Sequence, residues 1–426
     1  MRKKKILVLT ISHIWYDARV YFRMVKSLLK MSMPPIIPID KAYPSKNNID
    51  IKLITANNNI STPPNDIEKN FSFIITPCKN HRSNILKFFI IEALKYKPDI
   101  IICIEPLTLL AGYVLKKKLK CRLVYDNHEF YAEAFAEKFN NHFLSKTFQK
   151  LYWNYEKYFA KQTDAIITVN EYLLKRYQEF HENVYLCANY LFQSSYKACL
   201  VKTGSGTDNC VDYKACLVKT EDRSPKSFDL IYIGSLAFER GLKQYLKTAK
   251  LFKDNKKPFS LLIIGSFKNS ITEHYFFDFI KIHQLENTVF YKPYMPHELI
   301  LNEIKASKIG VYMGDGKANK RYHKTINMKV YEYFSQSLPV IVNKLEMLSE
   351  IVNTTQAGWI IDYNSSQLYE LLLQILHDDE LLSQKGKLGY EYALKNLIWE
   401  NQEPDLYRAV FGNANSALVR SEMDNY

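Results

Sequence analysis

The sequence predicts an α/β protein built from two Rossmann-like domains that face each other across a cleft, with a C-terminal helical tail. In both halves, short β-branched runs alternate with longer amphipathic segments, which is typical of parallel sheets covered by helices. The 426 residues are enough for two to three domains at roughly 150 residues each. The composition, 47% hydrophobic and 24% charged, excludes a disordered or fibrous chain. Ligands of such sheets bind at the carboxyl ends of the strands.

The first domain is predicted over residues 1–185. Strands are expected at 6–12, 36–39, 51–55, 72–76, 99–105, 122–126 and, as the last, 165–169. Helices are expected at 19–31, 85–96, 107–119, 141–161 and 171–180. The basic start and the apolar run after it imitate a signal peptide, but the run is short and continues into His13 and Asp17, so a strand is favoured.

The second domain is predicted over residues 228–400, with a tail at 401–426. Its strands are expected at 229–234, 260–265, 288–291, 309–312, 340–342 and 358–361, and its clearest helices at 242–252, 272–283, 328–335 and 366–377, before a mostly helical stretch at 378–411. Residues 186–227 are predicted to be a linker, in which the segment YKACLVKT occurs at 196–203 and again at 213–220. Two short copies cannot form a solenoid, so a tandem duplication in an exposed linker is favoured.

Charge is distributed unevenly along the chain. Of the overall +14, residues 1–185 carry a net charge of +12 from 29 basic and 17 acidic residues, whereas residues 228–426 hold 23 of each. This asymmetry indicates an anionic partner for the first domain, which could be a nucleic acid, a membrane surface or an acidic substrate. The seven cysteines form no CxxC pair, which favours a reducing cytosol over a disulfide framework or a zinc site.

Several classes of chemistry lack their motifs. The sequence contains no GxxxxGK[ST] loop, no GxGxxG after a strand, no Asp-x-Asp, no GxSxG and no metal-ligand spacing. We therefore expect chemistry without a cofactor or a dedicated metal. The longest apolar stretch, 100–115, is interrupted by Glu105 and Pro106, so any membrane contact is expected to be peripheral.

Two loops of the second half have the character of an anion site. Strand 230–234 leads through Arg240 and Gly241 into a helix, where free amides and the helix dipole favour a phosphate and Arg240 adds a charge-assisted contact. Loop 314–329 carries five basic residues and one acid, and Glu332 follows one turn into the next helix, where it could accept two ribose hydroxyls. Alternatively, Arg240 and Glu332 are solvated surface charges.

Four motifs follow one another along the sequence: Asp17-Ala-Arg19-Val20, Tyr125-Asp-Asn-His128-Glu129, Gly234 with Glu239-Arg240-Gly241-Leu242, and Asn327-Met-Lys329 with Glu332 and Pro339-Val-Ile341. These motifs and their order resemble those of the retaining glycosyltransferases of the GT-B fold, family 4, in the group 1 branch of cell-surface polysaccharide biosynthesis. The resemblance implies a hexosyltransferase-type enzyme that moves a sugar from a nucleoside-diphosphate sugar to a lipid-linked or other saccharide acceptor, with retention and without a metal.

The resemblance also implies roles for individual residues. Those for donor binding are Gly234, Arg240, Gly241, Asn327, Met328, Lys329 and Glu332. Catalytic roles fall to Arg240 and Lys329, which stabilise the leaving diphosphate, and to His128, which hydrogen-bonds to the sugar. The acceptor-side candidates are Asp17, Arg19, Glu105 and Glu129. For His128, capping of a buried turn is the alternative, and Asp17, Arg19 and Glu105 could equally be structural.

The chain departs from the family pattern at three points. Lys324 stands where many members have the first Glu of a Glu-x7-Glu pair, Ser235 stands where a second basic residue is common, and the Gly-Gly turn of the first βα loop is missing. Two alternatives therefore stay open: a sugar-nucleotide 2-epimerase of the same fold, and a non-catalytic partner subunit.

Helix 141–161 combines aromatic residues with four lysines, which marks either a core-facing helix or one that lies on anionic lipid. Together with the +12 charge of the first domain, it favours a cytoplasmic protein that binds peripherally to the inner face of the plasma membrane. Nucleic acid is disfavoured as a partner because the basic segments accompany no recognised nucleic-acid module.

Overall fold

A computed structural model describes residues 3–30, 49–57, 67–77, 81–139, 141–197 and 227–412. The chain divides into two compact units, one of residues Met1–Asn189 with Asn401–Tyr426 and one of residues Tyr190–Glu400. The predicted strand at 36–39 and all but the first two residues of the duplicated segment lie outside the described residues.

The first unit contains a seven-stranded parallel sheet. Its strands are β1 (Lys4–Thr10), β2 (Ile49–Thr55), β3 (Phe71–Ile75), β4 (Ile100–Cys103), β5 (Arg122–Asn127), β6 (Ala165–Thr168) and β7 (Val184–Leu186), in the order 3-2-1-4-5-6-7. A π-helix at Ala18–Val25 precedes the helices α1 (Lys26–Lys30), α2 (Arg82–Tyr96), α3 (Pro106–Leu119), α4 (Tyr131–Ala136), α5 (His142–Ala160) and α6 (Glu171–Gln178). All four residues of β4 are at most 2% exposed, as expected for a strand covered on both faces.

The second unit contains a six-stranded parallel sheet. Its strands are β8 (Phe228–Ile233), β9 (Leu261–Ile264), β10 (Val289–Lys292), β11 (Ser307–Tyr312), β12 (Val340–Asn343) and β13 (Gly358–Ile361), in the order 10-9-8-11-12-13. Its helices are α7 (Gln193–Lys197), α8 (Leu242–Asp254), α9 (Ser270–Ile282), α10 (His297–Lys305), α11 (Met328–Ser335), α12 (Glu346–Thr355), α13 (Ser365–Ile375) and α14 (Asp379–Asn396). The last helix, α15 (Glu403–Phe411), packs on β6 and β7 and so belongs to the first unit.

The predicted α/β class with two parallel-sheet domains is confirmed, with two local corrections. The helix expected at 19–31 is a π-helix followed by a single short α-helix, because amphipathic spacing does not distinguish the two types of turn. Strand 165–169 is not the last of its sheet, since β7 adds an edge strand of three half-buried residues, too short for a periodicity signal.

Each sheet reverses its strand order beside its first strand, between β1 and β4 and between β8 and β11. Loops that leave the carboxyl ends of two such neighbouring strands diverge to opposite faces and open a crevice. The register places Leu9 opposite Cys103 and Ile231 opposite Gly310. The loops that begin at residues 11 and 104 therefore leave one edge of the first sheet, and those that begin at 234 and 313 leave one edge of the second. These two edges hold the predicted site residues.

Candidate active site

In the second unit, the loop after β8 depends on two glycines. Gly234 has a φ of 116° and Gly241 a φ of 84°, both in the region that disfavours other residues. A Cβ on Gly234 would lie 2.8 Å from Lys329 Nζ, and one on Gly241 would lie 2.8 Å from the carbonyl oxygen of Met313. Between them, a short 3₁₀ turn at Phe238–Arg240 presents Arg240 before α8 begins.

Lys329, in the first turn of α11, is buried at 4% exposure. Its ammonium donates to the hydroxyl of Tyr232 at 3.0 Å and lies 4.2 Å from the centre of the Tyr232 ring and 5.0 Å from that of Tyr312. Burial, and then the charge of Arg240, hold the pKa of Lys329 well below its ordinary value, although Glu332 opposes them. Within the described part of the chain, no carboxylate forms an ion pair with Lys329.

Arg240 is the second cation of the site. It is half-buried beside the hydroxyl groups of Tyr232 and Tyr322. Burial acts to lower the pKa of Arg240, but the neighbouring tyrosines outweigh it and raise that pKa, so the guanidinium is charged. Arg240 also forms no ion pair among the residues that the structure describes. Two neighbouring cations that have no ion-paired carboxylate among the described residues are costly in the free protein, and such a cost is expected of a candidate anion site.

The N-terminus of α11 completes the site. Asn327 caps the helix, and its side-chain oxygen accepts from the amide of Lys329 at 3.4 Å. Met328 is half-buried against the core. Glu332 is 15% exposed, and its carboxylate lies 3.1 Å from His297 Nε2 of α10.

The structure thus gathers the residues predicted for donor binding at one sheet edge. Sequence reasoning missed the aromatic and histidine side chains that hold them, namely Tyr232, Tyr312, Tyr322 and His297. Tyr232 and Tyr312 lie on strands whose carboxyl ends meet at the site. Their position in the sequence, near the ends of two predicted strands, could have identified them. The basic loop after β11 contains a short 3₁₀ helix at Lys320–Lys324, which includes Lys324.

In the first unit, two of the acceptor-side candidates hold loops together. Glu105 is 6% exposed and accepts from the Thr10 hydroxyl at 2.8 Å, from the amides of Ile11 and Ser12 at 3.0 and 2.9 Å, and from the Ser12 hydroxyl at 2.5 Å. It therefore fixes the loop that follows β1.

Arg19 is 6% exposed and forms a bidentate pair with Asp126, at 3.0 Å from Nε and 2.5 Å from Nη2. Its Nη1 donates to the carbonyl of Cys187 at 2.9 Å and to the side chain of Asn189 at 2.8 Å. This pair ties the start of the π-helix to the end of β5. A contact of Arg19 or Glu105 with the acceptor stays a prediction.

Asp17, His13 and His128 form a chain at the same edge. Asp17 caps the π-helix through the amides of Arg19 and Val20 and lies 3.1 Å from His13 Nδ1, while His13 Nε2 lies 2.8 Å from His128 Nε2. Burial, aided by Arg19 and His13, lowers the pKa of His128 to about 3, so this ring is neutral.

Glu129 follows His128 and is exposed, and its amide donates to the side chain of Asn127 at 3.2 Å. Among the described residues, no group of three or more His, Cys, Asp or Glu side chains is placed to hold a metal ion. No described helix is long and apolar enough to cross a bilayer. Metal-free chemistry stays a prediction.

Known protein families match both halves of the chain. Residues 45–187 match the family described as Glycosyltransferase Family 4, and residues 218–392 match the family described as Glycosyl transferases group 1. The two segments together cover about three quarters of the chain. With the two Rossmann-like units, these matches make the protein a glycosyltransferase of the GT-B type. No curated protein sequence matches it.

Solved structures share the fold at low identity. Sucrose-phosphate synthase from Thermosynechococcus elongatus has a TM-score of 0.65 at 13% identity over 100% of both chains. WaaG, a glycosyltransferase involved in lipopolysaccharide biosynthesis, has a TM-score of 0.63 at 12% identity over 96% of this chain and 100% of its own. HepE from Anabaena in complex with UDP has a TM-score of 0.60 at 11% identity over 99% of this chain and 100% of its own.

The packing of Gly234 against Lys329 predicts the effect of a methyl group at this position. We expect Gly234→Ala to lower the free energy of unfolding by about 1–3 kcal/mol, because the backbone is left-handed there and the methyl displaces the buried ammonium. Urea denaturation followed by circular dichroism measures the change. Ser235→Ala, one residue further on, is the control and should stay within about 0.5 kcal/mol of the wild type. Equal stability of Gly234→Ala and the wild type would show that the glycine is not required.

Proposed function

We propose that the protein transfers a sugar from a nucleoside-diphosphate sugar to a saccharide acceptor carried on a lipid, with retention of anomeric configuration, in the synthesis of a cell-surface polysaccharide. The observation that carries this proposal is the pair of cations Arg240 and Lys329, neither of which has a carboxylate partner in the described chain. A diphosphate supplies the missing negative charge.

The site suits the departure of a nucleoside diphosphate. Arg240 offers a planar set of N–H donors to phosphate oxygens, and Lys329 adds a buried charge where the dielectric is low. The N-termini of α8 and α11 contribute their dipoles. Groups fixed in this way stabilise the charge that develops on the leaving phosphate without having to reorganise. Glu332, held by His297, accepts the two ribose hydroxyls.

Retention is expected to follow a front-face route in which the leaving diphosphate and the sugar cation form a short-lived ion pair. That route needs no carboxylate nucleophile and no metal. His128, kept neutral by burial, donates a hydrogen bond to the sugar without placing a positive charge next to the cation. On the acceptor side, the loops at the carboxyl ends of β1 and β5 are lined or held by Asp17, Arg19, Glu105 and Glu129.

The solved relatives support this choice of substrates. HepE from Anabaena is known in complex with UDP-glucose, and TarM in complex with α-GlcNAc-glycerol and UDP. WaaG is described as a glycosyltransferase of lipopolysaccharide biosynthesis. UDP and UDP-glucose each carry a diphosphate and a ribose, the two groups for which we propose Arg240, Lys329 and Glu332 as partners.

Removing either donor-site charge should slow transfer strongly. We expect Arg240→Ala and Glu332→Ala to lower the transfer rate by about 10²–10³-fold and to remove the thermal stabilisation by the nucleoside diphosphate, because each deletes a contact to the leaving group. The assay supplies a panel of nucleotide sugars with a lipid-linked oligosaccharide acceptor.

Lys250→Ala and Glu391→Ala, in exposed ion pairs of α8 and α14, are the controls and should behave like the wild type. Wild-type turnover by both site variants would contradict the assignment. An altered sugar nucleotide formed without acceptor would instead identify an epimerase, and the absence of any nucleotide binding a non-catalytic subunit.

We propose that α5 carries the protein to an anionic membrane surface on the cytoplasmic side. Phe143, Leu151 and Tyr158 are 75%, 58% and 57% exposed along one face of this helix, and Lys146 and Lys150 are exposed among them. A mixed apolar and cationic face suits the interface of a bilayer that contains acidic lipids. Each nearby cation adds roughly 1 kcal/mol of attraction.

Vesicle sedimentation tests this surface. The wild type should pellet with vesicles that contain phosphatidylglycerol at low salt, and the double variant Phe143→Ser/Leu151→Ser should bind at least about tenfold more weakly. Ile271→Ser/Ile282→Ser on α9, where the side chains are 71% and 72% exposed in the neutral half, is the control and should bind like the wild type. Equal binding by all three proteins, or none by the wild type, would overturn the proposal.

A further inference from the structure

The first unit holds a hydrogen-bonded chain that the resemblance does not assign. It runs from the Asp17 carboxylate to His13 Nδ1 at 3.1 Å, and from His13 Nε2 to His128 Nε2 at 2.8 Å. The hydroxyl of Tyr131 lies 3.3 Å from the same His128 nitrogen. The chain joins the loop after β1 to the loop after β5.

The far end of the chain is a buried nitrogen. His128 Nδ1 is out of contact with solvent and has no hydrogen-bond partner in the described part of the molecule. Buried polar atoms are hydrogen-bonded as a rule, so an exception points to a functional role or to a partner that the protein itself does not supply. This unsatisfied atom belongs to a residue that the family pattern places at the sugar.

The proton positions along the chain follow from its members. The pKa of Asp17 is about 2, because its hydrogen bonds to His13 and to backbone amides outweigh burial, so the carboxylate is ionised and His13 Nδ1 carries a proton. Burial acts to lower the pKa of His13, but Asp17, Glu105 and Asp126 outweigh it and raise that pKa. Below its pKa, His13 therefore carries a proton on Nε2 as well.

Two ring nitrogens 2.8 Å apart share a single proton. When His13 Nε2–H donates, His128 Nε2 must accept, and the one proton of the neutral His128 ring must sit on Nδ1. The buried nitrogen is then a donor.

We propose that His13 is a positioning residue that, together with Asp17, holds His128 in its Nδ1–H tautomer, so that His128 donates a hydrogen bond to a hydroxyl or ring oxygen of a sugar ligand. The sugar part of this inference rests on the proposed function, whereas the tautomer does not.

The hydrogen-bonded chain of Asp17, His13 and His128 responds to pH in one direction. As the pH rises through the pKa of His13, this ring loses its Nε2 proton and keeps the Nδ1 proton that Asp17 holds. His128 then turns to its Nε2–H form to keep the bond, and its Nδ1 becomes an acceptor. The other charged or titratable groups that face the two rings are Arg19, Glu105, Asp126 and Tyr131. The donor form therefore exists below the pKa of His13 and is lost above it.

Nitrogen-15 NMR of the full-length protein, labelled at histidine, identifies the tautomers directly. The His128 signals are assigned with His128→Gln, and spectra are recorded from pH 5.5 to 9. We expect the wild type to show the Nδ1–H form at low pH and the Nε2–H form at high pH. His13→Leu should lose the Nδ1–H form, whereas His13→Gln, whose amide can still donate to His128 Nε2, should retain it at every pH. Asp17→Asn should move the transition to lower pH.

The transfer rate supplies the second readout. In the wild type it should fall about tenfold per pH unit above the pKa of His13, and His13→Gln should lack this limb. His274→Gln on α9 is the control and should match the wild type in both measurements.

An Nε2–H tautomer of His128 in the wild type at low pH, or the same tautomer in His13→Leu and the wild type, would overturn the proposal. A purely structural role would lower the melting temperature of His13→Gln while leaving its pH profile unchanged. If the proposed function is wrong but the tautomer inference is right, nucleotide binding will be absent and the NMR pattern will be as predicted.

Discussion

The Lys329 ammonium is buried without an ion-paired carboxylate among the residues that the structure describes, and this burial is the constraint around which the second unit is built. A charged group in such a position is costly unless nearby atoms compensate it. Among the described residues the compensation is small, consisting of one tyrosine hydroxyl, the faces of two aromatic rings and the charge of Glu332, which forms no ion pair with Lys329. Gly234 must be a glycine because the ammonium occupies the space where a side chain would be. The neighbouring charge of Arg240 raises the cost further.

Buried charged groups of the first unit differ in that they are paired or hydrogen-bonded within the protein. Arg19 is matched by Asp126, and Glu105 accepts four hydrogen bonds. Glu156 accepts from Tyr125 and Asn127 at 2.8 Å each and also from Tyr177, although burial still raises its pKa to about 7. Because these groups are satisfied within the protein, they hold loops in place. Among the described residues, the two cations of the second unit have hydroxyl neighbours but form no ion pair with a carboxylate. This contrast is the reason why we propose a binding role for them and a structural role for the charged groups of the first unit.

The fold and part of the candidate site could be predicted from the sequence, and physical reasons explain which features were found and which were missed. The buried strands are nearly continuous apolar runs between turns, so their positions were predictable to within a few residues. Gly234 and Gly241 have a backbone that favours glycine, and Asn327 caps a helix through its side chain, so each of these local roles leaves a motif in the sequence. Tyr232 and Tyr312 were missed because a tyrosine in a buried strand has the same pattern whether it fills the core or holds an ammonium. His13 was missed because its partner His128 is distant in sequence, and α15 because nothing local shows that it returns to the first sheet.

Proton uptake during nucleotide binding tests most directly whether Lys329 binds the diphosphate. In the free protein the lowered pKa of Lys329 leaves part of the population as the neutral amine. A bound anion raises that pKa toward its ordinary value, so binding draws a proton from the buffer. Calorimetry between pH 7 and 9, in buffers of different ionisation enthalpy, measures that proton for the nucleoside diphosphate that stabilises the protein most. If Lys329 binds the diphosphate, we expect an uptake of up to about one proton in the wild type and none in Lys329→Met. Binding without proton uptake, or equal uptake in Lys329→Met, would contradict it.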